Sequence, residues 1–188
     1  MTKPDTLVRI LVLGGIRSGK SQWAESAIAE SVDATAAVRY LATGPAADGD
    51  VEWSARVAAH RRRRPANWST VETADVATQL REDSTPTVVD DIGAWLTAAM
   101  DRTGAWTDGS VSAHVDDLVD AVDSFGSALA LVSPEVGLTV VPATTSGRRF
   151  ADELGALNQR LAAVCDRVVL VVAGQPVTVK DGAPGAGG

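Results

Sequence analysis

Cysteine is nearly absent from the 188-residue sequence: Cys165 stands alone, so no internal disulfide framework is available and a reducing cytoplasm is the expected home. It closes the run Leu161-Ala-Ala-Val-Cys165 on an apolar helix face, where a thiol reads as packing rather than as a nucleophile. No apolar run approaches the roughly 20 residues that a bilayer span requires. The first residues do not read as a signal peptide, because Lys3 and Arg9 flank no long apolar stretch and no small-residue cleavage site follows. Excess positive charge is missing as well, and the formal charge of −7 opposes nonspecific binding to nucleic acid. No internal repeat and no dividing linker is visible. Histidine occurs only twice, as His60 and His114.

What is present suits one compact α/β domain over residues 1–180, followed by a Gly-, Ala- and Pro-rich tail, 181–188, that is expected to be disordered. Hydrophobic residues make up 45% and charged residues 22%, ordinary for a globular chain. Apolar, β-branched runs predict strands at Val8–Leu13, Val38–Ala42, Trp68–Glu72, Thr87–Asp90, Ala128–Val132 and Val168–Val172, with an edge hairpin at Pro176–Lys180. Helical spacing predicts helices over 20–29, 51–63, 76–81, from Gly93, from Val111, and along Phe150, Leu154, Leu157, Leu161 and Val164. In the helix from Val111, the interleaved Asp116, Asp117, Asp120 and Asp123 read as a solvated face. Alternating strands and helices imply a mainly parallel sheet covered on both faces, with ligands beyond the carboxyl ends of its strands. Gly14, Thr43, Asp90 and Glu135 all follow predicted strands and could converge on that edge.

The strongest local signal is Gly14-Gly15-Ile16-Arg17-Ser18-Gly19-Lys20-Ser21, a complete Walker A loop between a strand and a helix. Its glycines let successive backbone N–H groups face phosphate oxygens, the helix start adds partial positive charge, Lys20 reaches the terminal phosphates and Ser21 can hold Mg²⁺. Asp90 sits where a second, metal-orienting carboxylate belongs, whereas Asp91 reads as the cap of the next helix; the two roles could also be exchanged. His60 directly precedes Arg61-Arg62-Arg63-Arg64. A solvated basic surface is the plain reading of that run. The alternative is a small polyanion site, in which the cations stabilise phosphate charge and keep the imidazole neutral while it attacks phosphorus. His114, in the acidic helix, reads as structural.

These motifs resemble the bifunctional adenosylcobinamide kinase / adenosylcobinamide-phosphate guanylyltransferase family of cobalamin biosynthesis. The residues that carry the resemblance are Gly14 to Ser21, Tyr40-Leu-Ala-Thr43, and Arg56-Val-Ala-Ala-His60-x-x-x-Arg64-Pro65-x-x-Trp68-x-Thr70-x-Glu72. It continues through Glu135-Val136-Gly137, Val141-Pro142, Arg148-x-Phe150-x-Asp152 and Gly155-x-x-Asn158-Gln159, ending near Lys180. The resemblance implies a RecA-like P-loop NTPase fold and a small homo-oligomer such as a trimer. It also implies two reactions. ATP or GTP phosphorylates adenosylcobinamide, and GMP then passes from GTP, through a guanylyl-histidine, to the cobinamide phosphate. By residue match His60 is that histidine. Arg61 and Arg64 fall near the nucleotide, and Lys20, Ser21, Thr43, Glu72 and Asp90 line the site. The segments Asp90–Ala98, Ser133-Pro134 and Ala143–Gly147 depart from the family's usual pattern. Two other readings compete: a P-loop small-molecule kinase without a covalent step, and a non-catalytic GTP-binding module. Against the module, no Asn-Lys-x-Asp base-recognition motif occurs.

Overall fold

The computed structural model describes residues 8–44 and 64–182. The helix expected over 51–63, with His60 and Arg61, lies outside the described residues, as does 183–188. The described elements are β1 (Arg9–Gly14), α1 (Lys20–Ser31), β2 (Val38–Ala42), β3 (Trp68–Glu72), α2 (Val76–Glu82), β4 (Thr87–Asp90) and α3 (Ile92–Thr103), then α4 (Ser112–Ser124), β5 (Leu129–Pro134), α5 (Thr145–Val164), β6 (Arg167–Val172) and β7 (Gln175–Asp181). The strands form one seven-stranded sheet in the order β3-β2-β4-β5-β1-β6-β7. All neighbours are parallel except β6 and β7, which form an antiparallel hairpin.

Strand side chains alternate between two cores, as the two-residue period of a strand requires. Ile10, Val12, Tyr40, Val88, Ala130, Val132 and Val169 pack with Ala24 and Ile28 of α1. Leu11, Leu41, Val89, Leu129, Leu131 and Val168 pack on the other face with apolar residues of α2, α3, α4 and α5. The inner strands are therefore buried on both sides and read as continuous apolar runs. The edge strands β3 and β7 are largely exposed, and Pro176 is placed on an edge, where a missing N–H costs no ladder bond.

Local chemistry explains several boundaries. Helix α5 starts at Thr145, ahead of its first apolar marker Phe150, because Thr144 caps it by accepting from the Gly147 N–H at 3.1 Å. At its other end Lys180 donates to the carbonyls of Ala162 and Cys165 at 2.9 and 2.7 Å, placing a cation on the negative end of the helix. Strand β7 runs on through Asp181, so that residue belongs to the sheet rather than to the tail. The aspartates of α4 are exposed, yet three of them pair with arginines of other elements: Asp116 with Arg160, Asp117 with Arg81 and Asp123 with Arg9. No described helix is long and apolar enough to cross a membrane.

Cys165 is fully buried just past the end of α5, and burial pushes its thiol up to about 12. At pH 8 only about one molecule in ten thousand would then carry the thiolate, the species that reacts. The native protein is expected to be inert toward a disulfide reagent such as DTNB and to release one equivalent on denaturation. Fast stoichiometric labelling of the native chain would contradict the packing seen here.

Candidate active site

Parallel pairing brings Gly14, Glu72 and Asp90 to one edge of the sheet. Gly14 pairs with Pro134 and Val171, Ala42 with both Glu72 and Asp90, and Asp90 with Val132. The carboxyl ends of β1, β2, β3, β4 and β5 thus lie side by side. The Glu135 N–H donates to the Gly14 carbonyl at 3.1 Å, and the Thr43 N–H to the Asp90 carbonyl at 2.9 Å.

The phosphate loop leaves β1 at Gly14, where a Cβ would lie 2.8 Å from the Val171 carbonyl oxygen and collide with the Ser18 hydroxyl. Arg17 and Gly19 take left-handed backbone at φ 57° and 91°. These turns deliver the chain into α1, whose start has no side-chain cap and no acidic residue in its first turn. Its leading N–H groups are therefore available to an anion, which the helix dipole also favours. Lys20 lies along the loop, with Nζ 3.2 Å from the Gly15 carbonyl oxygen. Ser18 Oγ is buried without a hydrogen-bond partner inside the same loop. Behind it, the Gly174 N–H in the β6–β7 turn donates to the Ser18 carbonyl at 2.8 Å. That support comes from the far end of the chain and has no signature near the motif.

Thr43 and the two aspartates form a second corner. The Thr43 hydroxyl accepts from the Asp91 N–H at 2.8 Å and donates to the Asp91 carbonyl, so it ties β2 to the end of β4. Asp91 caps α3 by accepting from the Gly93 N–H at 2.7 Å. Burial, and next the charge of Asp90, hold the Asp91 carboxyl above its ordinary range; the Gly93 N–H and the charge of Lys20 oppose that rise. Asp90 has a different partner, the Tyr40 hydroxyl, which donates to Oδ2 at 2.5 Å. Glu72, exposed at the end of β3, occupies the same edge.

Arg64 is not an unengaged surface cation. Its Nε pairs with Glu25 of α1 at 3.0 Å, with side chains only 7% and 12% exposed, and Nη1 donates to Thr70 at 3.1 Å. Its guanidinium also lies 3.2 Å from the centre of the Tyr40 ring. Sequence reasoning did not single out Glu25, because an acid in an otherwise unremarkable helix carries no local signal. His114 is exposed on α4. His60 and Arg61 lie outside the described residues.

The donors fit a divalent cation of the hard, oxygen-seeking kind. Ser21 stands in the first turn of α1 and Asp90 ends β4. Among the described residues no group of three or more His, Cys, Asp or Glu side chains could cage a metal.

A parallel α/β sheet with a phosphate loop at the end of a central strand, and a carboxylate ending the strand two places along, defines a P-loop nucleotide-binding protein. The chain belongs to the cobinamide kinase / cobinamide phosphate guanyltransferase family, whose model matches residues 10–179. It is 40% identical to the bifunctional adenosylcobalamin biosynthesis protein CobP of Pseudomonas aeruginosa over 178 residues, covering 92% of this chain and 98% of that protein. The bifunctional CobU proteins of Salmonella typhimurium and Escherichia coli are 36% and 34% identical, each over 91% of this chain and 99% of theirs.

Proposed function

We propose that the chain phosphorylates adenosylcobinamide with ATP or GTP and then converts the product to adenosylcobinamide-GDP with a second GTP. The observation that carries this reading is a family match that runs through the phosphate loop and on to residue 179. The bifunctional relatives are themselves spanned almost end to end.

In the first reaction the hydroxyl oxygen of the aminopropanol arm attacks the terminal phosphorus, loses its proton, and the nucleoside diphosphate departs. Backbone N–H groups of Gly15 to Lys20 and the Lys20 ammonium neutralise charge on the transferring group. Mg²⁺, placed by Ser21 and Asp90, would neutralise phosphate charge and orient the transferring group. In the second reaction a neutral His60 imidazole attacks the α-phosphorus of GTP and pyrophosphate leaves. The phosphate of adenosylcobinamide phosphate then displaces the histidine from the guanylyl group. Arg61 and Arg64 would stabilise the crowded phosphorus, and Thr43 and Glu72 would line the nucleotide's side of the edge. Residues 1–180 would form the single catalytic unit, working in the cytoplasm as a small homo-oligomer such as a trimer.

Supplying adenosylcobinamide with γ-labelled and with α-labelled GTP tests the reading. Both labels should reach the corrinoid, the γ label first. Transfer of the γ label alone would leave a P-loop kinase, and nucleotide binding without transfer a GTP-binding module.

The two aspartates should separate cleanly. Asp90→Asn is expected to lose most divalent-dependent turnover. Asp91→Asn should retain turnover, since an asparagine oxygen can still accept from the Gly93 N–H. Comparison of initial rates over a Mg²⁺ titration checks this; a dead Asp91→Asn beside a normal Asp90→Asn would reverse the allocation.

A further inference from the structure

Resting on the reading above, we propose that Tyr40 is a positioning residue for the Asp90 carboxylate, held in place by the Arg64–Glu25 pair. The sheet register brings these groups together. Tyr40 on β2 pairs with Thr70 on one side and with Val88 on the other. Asp90 lies two residues beyond Val88 and so projects from the same face of the sheet. An aromatic side chain at 40 spans that diagonal, and its hydroxyl meets Asp90 Oδ2 at 2.5 Å. Helix α1 covers this face, which is why Glu25 can reach across to Arg64, while Thr70 accepts from the same guanidinium.

The surroundings give the hydroxyl no other purpose. Tyr40 is only 5% exposed and belongs to the apolar cluster of Ala24, Ile28 and Val88, where phenylalanine would fill the same space. Among the described residues the Tyr40 hydroxyl is the one side-chain donor to Asp90. A carboxylate at a strand end can rotate about its last bond; a donor on Oδ2 restricts that rotation. The guanidinium over the ring resists tilting of the phenol, and its Nε bond to Glu25 anchors it to the helix that carries the phosphate loop. An ion pair this buried is costly to place and costly to break, which suits a part whose job is to hold geometry.

The test is Tyr40→Phe, which keeps the ring and its contact with Arg64 and removes one oxygen. Loss of a group that orients a metal-binding side chain lowers metal affinity about 10- to 100-fold. Mn²⁺ binding to the protein–GTP complex, followed by electron paramagnetic resonance, should weaken about tenfold, while GTP binding without divalent cation stays as in the wild type. The Mg²⁺ concentration for half-maximal phosphorylation should rise in parallel. A merely structural hydroxyl would lower the melting temperature and leave Mn²⁺ affinity in place. A Mn²⁺ shift below about threefold, whatever happens to melting, overturns the proposal. The Mn²⁺ measurement needs no corrinoid, so it can fail while the wild type still transfers both labels, and it can succeed if the corrinoid assay fails.

Discussion

Lys20→Ala is expected to lower GTP-dependent turnover by roughly 30- to 1,000-fold, corresponding to a loss on the order of 2–4 kcal/mol of charge-assisted phosphate contact. The geometry makes this residue hard to replace. It is the first residue of α1, follows a glycine held at φ 91°, and keeps Nζ within 3.2 Å of the Gly15 carbonyl. No side chain takes part in capping this helix start, so the backbone N–H groups and one ammonium are what the loop offers to a triphosphate. The substitution itself should be mild for folding, because Lys20 is only partly buried and alanine is a good helix former. Equilibrium binding of GTP and the rate of phosphoryl transfer, measured on protein with a normal melting transition, check the expectation. A folded Lys20→Ala protein with wild-type turnover would remove the loop from the mechanism.

What could be read from the sequence divides along a physical line. The phosphate loop was legible because its chemistry is contiguous: glycines, lysine and serine act within one turn of chain. Strands β2, β3 and β4 matched their expected limits at Val38–Ala42, Trp68–Glu72 and Thr87–Asp90, since short apolar runs there are bounded by turn residues and acids. The start of α5 was not visible. Thr145 to Arg149 carry no apolar stripe, and what begins the helix is the Thr144 cap. Asp181 was assigned to the tail by its Gly- and Pro-rich neighbours, yet pairing with Arg167 in the β6–β7 hairpin keeps it in the sheet.

The same division applies at the site. Asp91 was expected to cap a helix and does so, because an Asx cap is a local bond. The Tyr40–Asp90 contact joins residues 50 apart, and the Arg64–Glu25 pair residues 39 apart. Neither can be read from spacing, because both depend on β2 lying beside β4 and on α1 crossing their face. The basic run by itself reads as a solvated surface, and only the family resemblance puts Arg64 near the nucleotide. The burial of Arg64 shows that at least part of its hydrogen-bonding capacity is committed within the protein, although a guanidinium has five N–H donors and two of them account for Glu25 and Thr70.

His60→Ala is expected to abolish guanylyl transfer while sparing much of the phosphorylation of adenosylcobinamide. A phosphate loop explains movement of a terminal phosphoryl group but supplies no nucleophile on which GMP could rest. His60 comes directly before Arg61 and four residues before Arg64, and cations at those positions would hold the imidazole neutral and offset charge as pyrophosphate leaves. The bond formed is a phosphoramidate, stable to base and broken in mild acid. His114, exposed on α4 among ion-paired aspartates, has no such setting, and His114→Ala should leave both reactions intact. Incubating wild type, His60→Ala, His114→Ala and Lys20→Ala with α-labelled GTP, then exposing denatured protein to acid or base, reads the covalent step directly. Acid-labile label is expected on wild type and His114→Ala, absent from His60→Ala, and strongly reduced in Lys20→Ala. Label retained in His60→Ala, or mapped to any other residue of the wild type, would refute the covalent role of His60.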